Sequence, residues 1–275
     1  MGKIGIALAG GGARGAYQVG AWKALREFGY DSKISVYSGA SVGSLNAVLF
    51  AMGDYELAEK TWLSLDKDSL FNLEKNLFTR LAKEKLNFFN KGVYNTNRLE
   101  KIMDEVINYE LIKEKEIYVA TTFLGNDRKS FFDLLKTNYE HYFTKDHNMI
   151  KYQNLRELSE ENIRKSMLAS CAIPVAFQPI TIDSDTFYDG GILDNTPIKP
   201  LQDAGCDKIL VIDLFRMNFK RFIDSEDDSV YYIHPKKSLR GILDFDQAKI
   251  RRRFELGYVD TCSFLEKNPD LFKEN

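Results

Sequence analysis

Between Ile4 and Met52 the chain twice passes from a short apolar run through glycines into a helix-like segment. The first unit is Ile4–Ala9, then Gly10-Gly11-Gly12-Ala13-Arg14-Gly15, then Ala16–Phe28, where Val19, Ala21, Trp22 and Leu25 form an apolar stripe. The second is Ile34–Ser38, then Gly39-Ala40-Ser41-Val42-Gly43, then the small-residue segment Leu45–Met52. Strand, glycine turn and helix in this rhythm predict a parallel α/β sheet. Both glycine turns should then lie at the carboxyl edge of that sheet, where α/β proteins bind ligands.

The rest of the chain fits one domain, 1–275. Tyr55–Ile107 reads as helical throughout, a covering or lid segment. Strands are expected at Glu116–Leu124, Lys129–Leu134, Pro179–Ile182, Thr186–Tyr188, Lys208–Leu214 and Val230–Ile233. A helix at Asn162–Ser170 is stopped by Pro174, Asp224–Asp228 reads as an acidic surface loop, and a last helix spans Gln247–Leu265. The 38 basic and 40 acidic residues balance to a net charge of −2, which gives no support for nucleic-acid binding. Three widely spaced cysteines, Cys171, Cys206 and Cys262, provide neither a disulfide framework nor a four-cysteine zinc site. No window approaches the roughly 18 apolar residues of a membrane span, and Ile4–Ala9 is too short for a signal-peptide core. The expectation is a cytoplasmic protein without cofactor or metal.

Gly10–Gly15 is a literal G-x-G-x-x-G, the dinucleotide fingerprint. That reading requires an acidic residue at the end of the second strand to hold a ribose hydroxyl. Here the second strand runs into Gly39-Ala40-Ser41, and Asp31 precedes it. What stands there instead is G-x-S-x-G between strand and helix, the nucleophile-elbow pattern. A tight turn lifts the serine hydroxyl clear of the fold, and its neighbours must be small. The alternative is that Ser41 only caps the following helix. The glycine loop favours the first reading, since acyl transfer needs bare N–H donors for an oxyanion.

A serine nucleophile needs a base. The order Ser41, Asp189 or Asp213, His234 matches a serine–acid–histidine triad. His234 lies in Tyr231-Tyr232-Ile233-His234-Pro235-Lys236-Lys237, without glycine or turn features, and reads as a surface or structural histidine; His141 and His147 lie in a polar, aromatic stretch. Asp189, at the end of a short aromatic strand and followed by Gly190-Gly191, is either an Asp-Gly turn or the acidic partner. Cys171 has no histidine placed to activate it and reads as a small buried hydrophobe.

Taken together, these motifs resemble the patatin-like phospholipases: Gly10–Gly15 their oxyanion loop, Gly39–Gly43 their nucleophile motif, and Asp189-Gly190-Gly191 their Asp-Gly-Gly. Ala169–Pro179 is similar to the family's small-residue helix end and Pro-x-x-Phe-x-Pro segment, with a weaker echo in Asp244-Phe245-Asp246 and Gly257-Tyr258. The resemblance implies a three-layer α/β/α fold with a mainly parallel central sheet, and a Ser–Asp dyad that dispenses with histidine. Carried over, Ser41 is the nucleophile and Asp189 the base. Gly10, Gly11, Gly12, Ala13 and Arg14 with the Val42 N–H form the oxyanion hole, and Gly15, Gly39, Gly43, Gly190 and Gly191 support the turns. The implied activity is hydrolysis of phospholipid or lysophospholipid esters through an acyl-serine. A small-ester esterase or thioesterase, and a non-catalytic acyl-lipid or nucleotide-binding module, stay open at this point. Asp194 departs from the family, which commonly has asparagine there.

Leu70, Leu73, Leu77 and Leu81 follow helical spacing among Lys75, Arg80, Lys83, Lys85 and Lys91. This is either an amphipathic helix covering the sheet or an interfacial lid making transient membrane-surface contact through 70–89, peripheral at the membrane. The basic run Lys249–Arg253 reads as a solvated helix face offset by Asp244, Asp246 and Glu255.

Overall fold

The computed structural model describes residues 2–65, 96–124, 149–173, 177–216 and 227–272. The expected strand Lys129–Leu134, the segment 70–89, His141, His147, Pro174 and most of Asp224–Asp228 lie outside the described residues.

The strands are β1 (Ile4–Leu8), β2 (Ile34–Ala40), β3 (Glu116–Phe123), β4 (Ile150–Asn154), β5 (Ile180–Ile182), β6 (Asp185–Asp189), β7 (Lys208–Ile212) and β8 (Val230–Ile233). They form one sheet in the order β5-β6-β3-β2-β1-β7-β8, with β4 also on β3. The run β3-β2-β1-β7-β8 is parallel, while β4, β5 and β6 add antiparallel pairings. The sheet is therefore mixed.

Alternation along the strands sorts the core. Ile6 and Leu8 of β1, with Leu210 and Ile212 of β7, face the main helical layer. Ala7, Val36, Ile209 and Val211 face Leu201 on the other side. The helices are α1 (Ala16–Glu27), α2 (Val42–Met52), α3 (Tyr55–Ser64), α4 (Asn97–Val106), α5 (Tyr109–Lys113), α6 (Glu160–Ser170), α7 (Lys199–Asp203) and α8 (Gln247–Lys267). Side-chain caps start several of them: Asp54 accepts from the Leu57 N–H, Ser159 from Asn162, and Asp246 from Lys249.

Several elements differ from the sequence expectation. The helical segment Tyr55–Ile107 is interrupted, because Leu65 leaves α3 in extended conformation (ψ 134°). β2 continues through Gly39 and Ala40, which pair with Leu8 and Ala120 and are held extended by neighbours on both sides. α2 starts at Val42, three residues before the expected Leu45, because the turn consumes only Ser41.

α1 and α8 cross at two glycines. A Cβ on Gly257 would overlap the Tyr17 carbonyl, and one on Gly20 the Phe254 carbonyl. A glycine in a helix interior normally costs about 1 kcal/mol relative to alanine, so propensity alone favours Gly257→Ala. Backbone overlap in a packed core costs roughly 1–3 kcal/mol or more and wins. Gly257→Ala should therefore lower stability by about 2 kcal/mol in urea unfolding with an unchanged m-value; a stabilised variant would refute this reading of the crossing.

Candidate active site

Ser41 joins β2 to α2 at φ 52°, ψ −133°, a conformation that side chains rarely adopt and that costs on the order of 1–3 kcal/mol. The surroundings fix it. Its N–H donates to Ser170 Oγ at 2.9 Å, and that hydroxyl donates to Ala120 O at 2.7 Å. Its carbonyl accepts from Ser44 N–H at 2.9 Å and from Ser44 Oγ at 2.6 Å. The flanking glycines are obligatory. A Cβ on Gly39 would overlap the Gly43 carbonyl, and one on Gly43 the Leu8 carbonyl. The Ser41 hydroxyl makes no capping bond to α2. It acts instead on the Asp189 carboxylate, favouring the ionised form, and with no bond to the helix the capping alternative does not describe this serine.

Register explains how the two residues meet. Ala40 pairs with Ala120, and the next residue of β3, Thr121, pairs with Asp189. One strand separates the serine and the acid, and their side chains converge over it. Asp189 is 5% exposed; its Oδ1 accepts from the Gly191 N–H at 2.7 Å. Burial pushes its carboxyl up to about 7, while the Ser41 hydroxyl and the Gly191 N–H pull the other way. Gly190 lies against the Ala120 carbonyl, with no room for a Cβ.

The glycine loop after β1 adjoins the serine. A Cβ on Gly10 would stand 3.0 Å from Ser41 Cβ. Not all of its N–H groups are available. Gly10 N–H donates to Asn195 O at 3.1 Å, Ala13 N–H to Ile242 O at 2.7 Å and Arg14 N–H to Gly11 O at 3.1 Å. Of the six expected oxyanion residues, this leaves the N–H groups of Gly11, Gly12 and Val42 without a protein acceptor among the described residues. Gly12 has φ 54° and faces the Ile242 carbonyl, where a Cβ would not fit. The Arg14 side chain turns outward, donating from Nε to Arg240 O at 2.6 Å and packing over Phe215 at 4.7 Å. Gly15 has Trp62 at 2.7 Å from where a Cβ would stand.

Two residues that the sequence did not assign to the site, Asn195 and Arg253, hold these loops. Asn195 Nδ2 donates to Gly10 O at 3.1 Å, reciprocating the Gly10 bond and tying the glycine loop to the turn after Asp189. Arg253 is 1% exposed, not part of a solvated face like its neighbours Arg251 and Arg252. Asp194 fits locally despite its departure from the family pattern. It accepts from Tyr152 OH at 2.7 Å and from Thr196 N–H at 3.1 Å.

A cavity of about 130 Å³ opens beside Ser41. Gly12, Ser41 and Val42 form one end; Leu49, Trp62, Met103 and Phe245 are among its apolar walls. The apolar face of α4, through Leu99, Ile102, Met103 and Val106, supplies one whole side. Cys171 also lines it, but burial foremost, and then the Asp189 charge, push its thiol well up and keep it protonated. His234 ends β8, three strand spacings or about 14 Å from β2. It approaches Asp213 at 3.6 Å and stacks on Tyr232. Among the described residues no cluster of three His, Cys, Asp or Glu could hold a metal ion, and no helix is long and apolar enough to cross a membrane.

With this geometry in place, the sequence pattern describing patatin-like phospholipases matches residues 6–201, from β1 through Asp189. The chain belongs to the patatin-like phospholipase family. Among curated relatives, lysophospholipase NTE1 of Cryptococcus neoformans is 25% identical over 217 residues, covering 77% of this chain and 11% of that protein. The Eremothecium gossypii lysophospholipase NTE1 is 26% identical over 281 aligned residues, covering 96% of this chain and 15% of that protein. The chain thus spans only a small part of the length of these relatives. Among solved structures, VipD from Legionella pneumophila superposes with a TM-score of 0.53 at 16% identity, over 97% of this chain and 67% of that one. That likeness concerns the fold: the patatin-like α/β sheet with its flanking helices.

Proposed function

We propose that this patatin-like chain hydrolyses carboxylic esters of phospholipids or lysophospholipids, with Ser41 as nucleophile and Asp189 as its base. The observation that carries the reading is a serine in strained backbone conformation, lining an apolar cavity and acting on a buried carboxylate.

Ser41 Oγ attacks the ester carbonyl as its proton passes to Asp189. The carbonyl oxygen becomes an oxyanion that the N–H groups of Gly11, Gly12 and Val42 are placed to receive. Collapse of the tetrahedral intermediate breaks the ester C–O bond, and the Asp189 proton goes to the leaving alcohol. Water, deprotonated by Asp189, then attacks the acyl-serine; the acyl C–Oγ bond breaks, Asp189 returns the proton to Ser41 Oγ, and the fatty acid is released. The cavity walls from α4 accommodate the acyl chain, for which apolar lining is the matching chemistry. The names of the curated relatives, lysophospholipases, agree with a single-chain lipid ester as substrate. Peripheral contact with a membrane surface, for which 70–89 was the sequence candidate, belongs to the same reading.

Labelling with a long-chain fluorophosphonate followed by mass spectrometry tests it. The adduct is expected on Ser41, together with fatty-acid release from lysophosphatidylcholine by the unlabelled protein. Labelling elsewhere, or none, would overturn the acyl-serine route. Labelling without lipid turnover would leave an esterase or thioesterase.

A further inference from the structure

The loop between β8 and α8 turns its backbone carbonyls toward the protein. Those of Leu239, Gly241 and Asp244 accept from the Arg253 guanidinium at 2.9, 2.9 and 2.6 Å. That of Arg240 accepts from Arg14 Nε at 2.6 Å, and that of Ile242 from the Ala13 N–H at 2.7 Å. Arg253 also reaches Ala13 O at 3.3 Å, so the loop and the glycine loop are held as one piece.

This anchoring leaves the Ile242 and Leu243 side chains 42% and 45% exposed, with Phe215 at 43% beneath Arg14. A loop tied down at five carbonyls does not expose its aliphatic residues for want of order. Scattered exposed apolar residues are ordinary, as Val259 is on α8. Here they adjoin the site, and Leu243 is both exposed and a wall of the cavity beside Ser41. The apolar surface is thus continuous from the outside to the cavity. Exposed cations stand along the same segments: Lys236, Lys237 and Arg240 before the apolar pair, and Arg216 after Phe215. Of these, Lys236 is paired with Asp260 at 3.9 Å; among the other nearby acids Asp244 is paired with Lys249 at 2.5 Å and Asp246 caps α8.

We infer that Phe215, Ile242 and Leu243, with Lys237 and Arg240, form a docking surface for an anionic lipid–water interface, setting the cavity mouth on the bilayer. Apolar residues entering the headgroup region beside cations that meet anionic lipid are the chemistry of such a surface. The inference rests on the lipid-ester reading above and adds the surface through which that substrate is reached.

Co-sedimentation with phosphatidylcholine vesicles containing a minority of phosphatidylglycerol tests it. The double variant Ile242→Ser, Lys237→Ser should bind roughly tenfold or more weakly, from the lost aliphatic insertion and one lost cation. A single Lys237→Ser variant should also bind more weakly and turn over a short water-soluble ester at the wild-type rate, while Val259→Ser should sediment like wild type. A separate Ile242→Trp variant should show fluorescence quenched by bromine-labelled lipids. Wild-type sedimentation of the double variant, an equal loss in Val259→Ser, or an unquenched tryptophan would overturn the docking surface. Should the double variant lose soluble-ester turnover, the tryptophan quenching decides. A protein that docks through these residues yet hydrolyses no ester would overturn the lipid-ester reading alone.

Discussion

Ser41→Ala is expected to remove ester turnover almost entirely, by roughly 10⁴-fold or more, as removal of a nucleophile does where the other groups remain. The fold should survive. The hydroxyl caps no helix, and the bonds that hold the strained turn, from Ser41 N–H to Ser170 and from Ser44 to the Ser41 carbonyl, use only its backbone. Loss of the hydroxyl beside Asp189 changes stability by about 1 kcal/mol. Asp189→Asn should cause a loss of the same order. Its amide can still accept from Gly191 at the position of Oδ1, but it cannot take the serine proton. Because the two act as a unit, the double variant should be no slower than either single one. Initial rates on a soluble ester, beside thermal melts that establish folding, measure this. Turnover within tenfold of wild type in either single variant would exclude the dyad. A His234→Ala variant as slow as Ser41→Ala would move the base to the far strand β8.

Much of this site was legible in the sequence because its chemistry demands particular small residues at fixed places. Gly39 and Gly43 are where a Cβ would meet backbone carbonyls, and Gly190 is where one would meet Ala120. Those needs leave a readable pattern, and β1, β2, α1 and α2 follow from it with boundaries shifted by few residues. Pairing decided what periodicity could not. β4 reads Ile-Lys-Tyr-Gln-Asn, mostly polar and only partly buried, and is a strand because β3 offers it an antiparallel partner. α5 and α7, five residues each, are too short to show a period. Which loop N–H groups are free was equally hidden. It depends on Asn195, Ile242 and Gly11 carbonyls brought in by the fold. Arg253 was misread as solvated because three cations in a row predict an exposed face. Its acceptors are carbonyls of a loop up to 14 residues earlier and of Ala13, which no local pattern reveals.

The buried carboxyl of Asp189 ties activity and stability to pH in opposite senses. Its value in the fold, about 7 against an ordinary 3.8, means that the protonated acid is the form the desolvated site favours. The proposed base is the other form. On a soluble ester, kcat/KM should therefore fall below about pH 7, tenfold per unit on the acid limb, since this ratio reports groups of the free enzyme. Stability runs the other way. With the folded value raised, the stabilising contribution is complete below about pH 4 and is lost as pH rises to about 7. At roughly 1.4 kcal/mol per unit this is on the order of 4 kcal/mol. Asp189→Asn carries no ionisation and escapes that loss. Its melting temperature relative to wild type should rise between pH 5 and pH 8, so the variant that loses catalysis gains stability where the enzyme is most active. An acid limb near pH 4, with a constant difference in melting temperature, would show that the carboxylate titrates as a solvated group and is not tuned by burial. The two profiles together separate a base tuned by burial from an aspartate that only shapes the turn. A turn-forming aspartate can shift the melting curve with pH, but it has no reason to place the rate midpoint at the same pH.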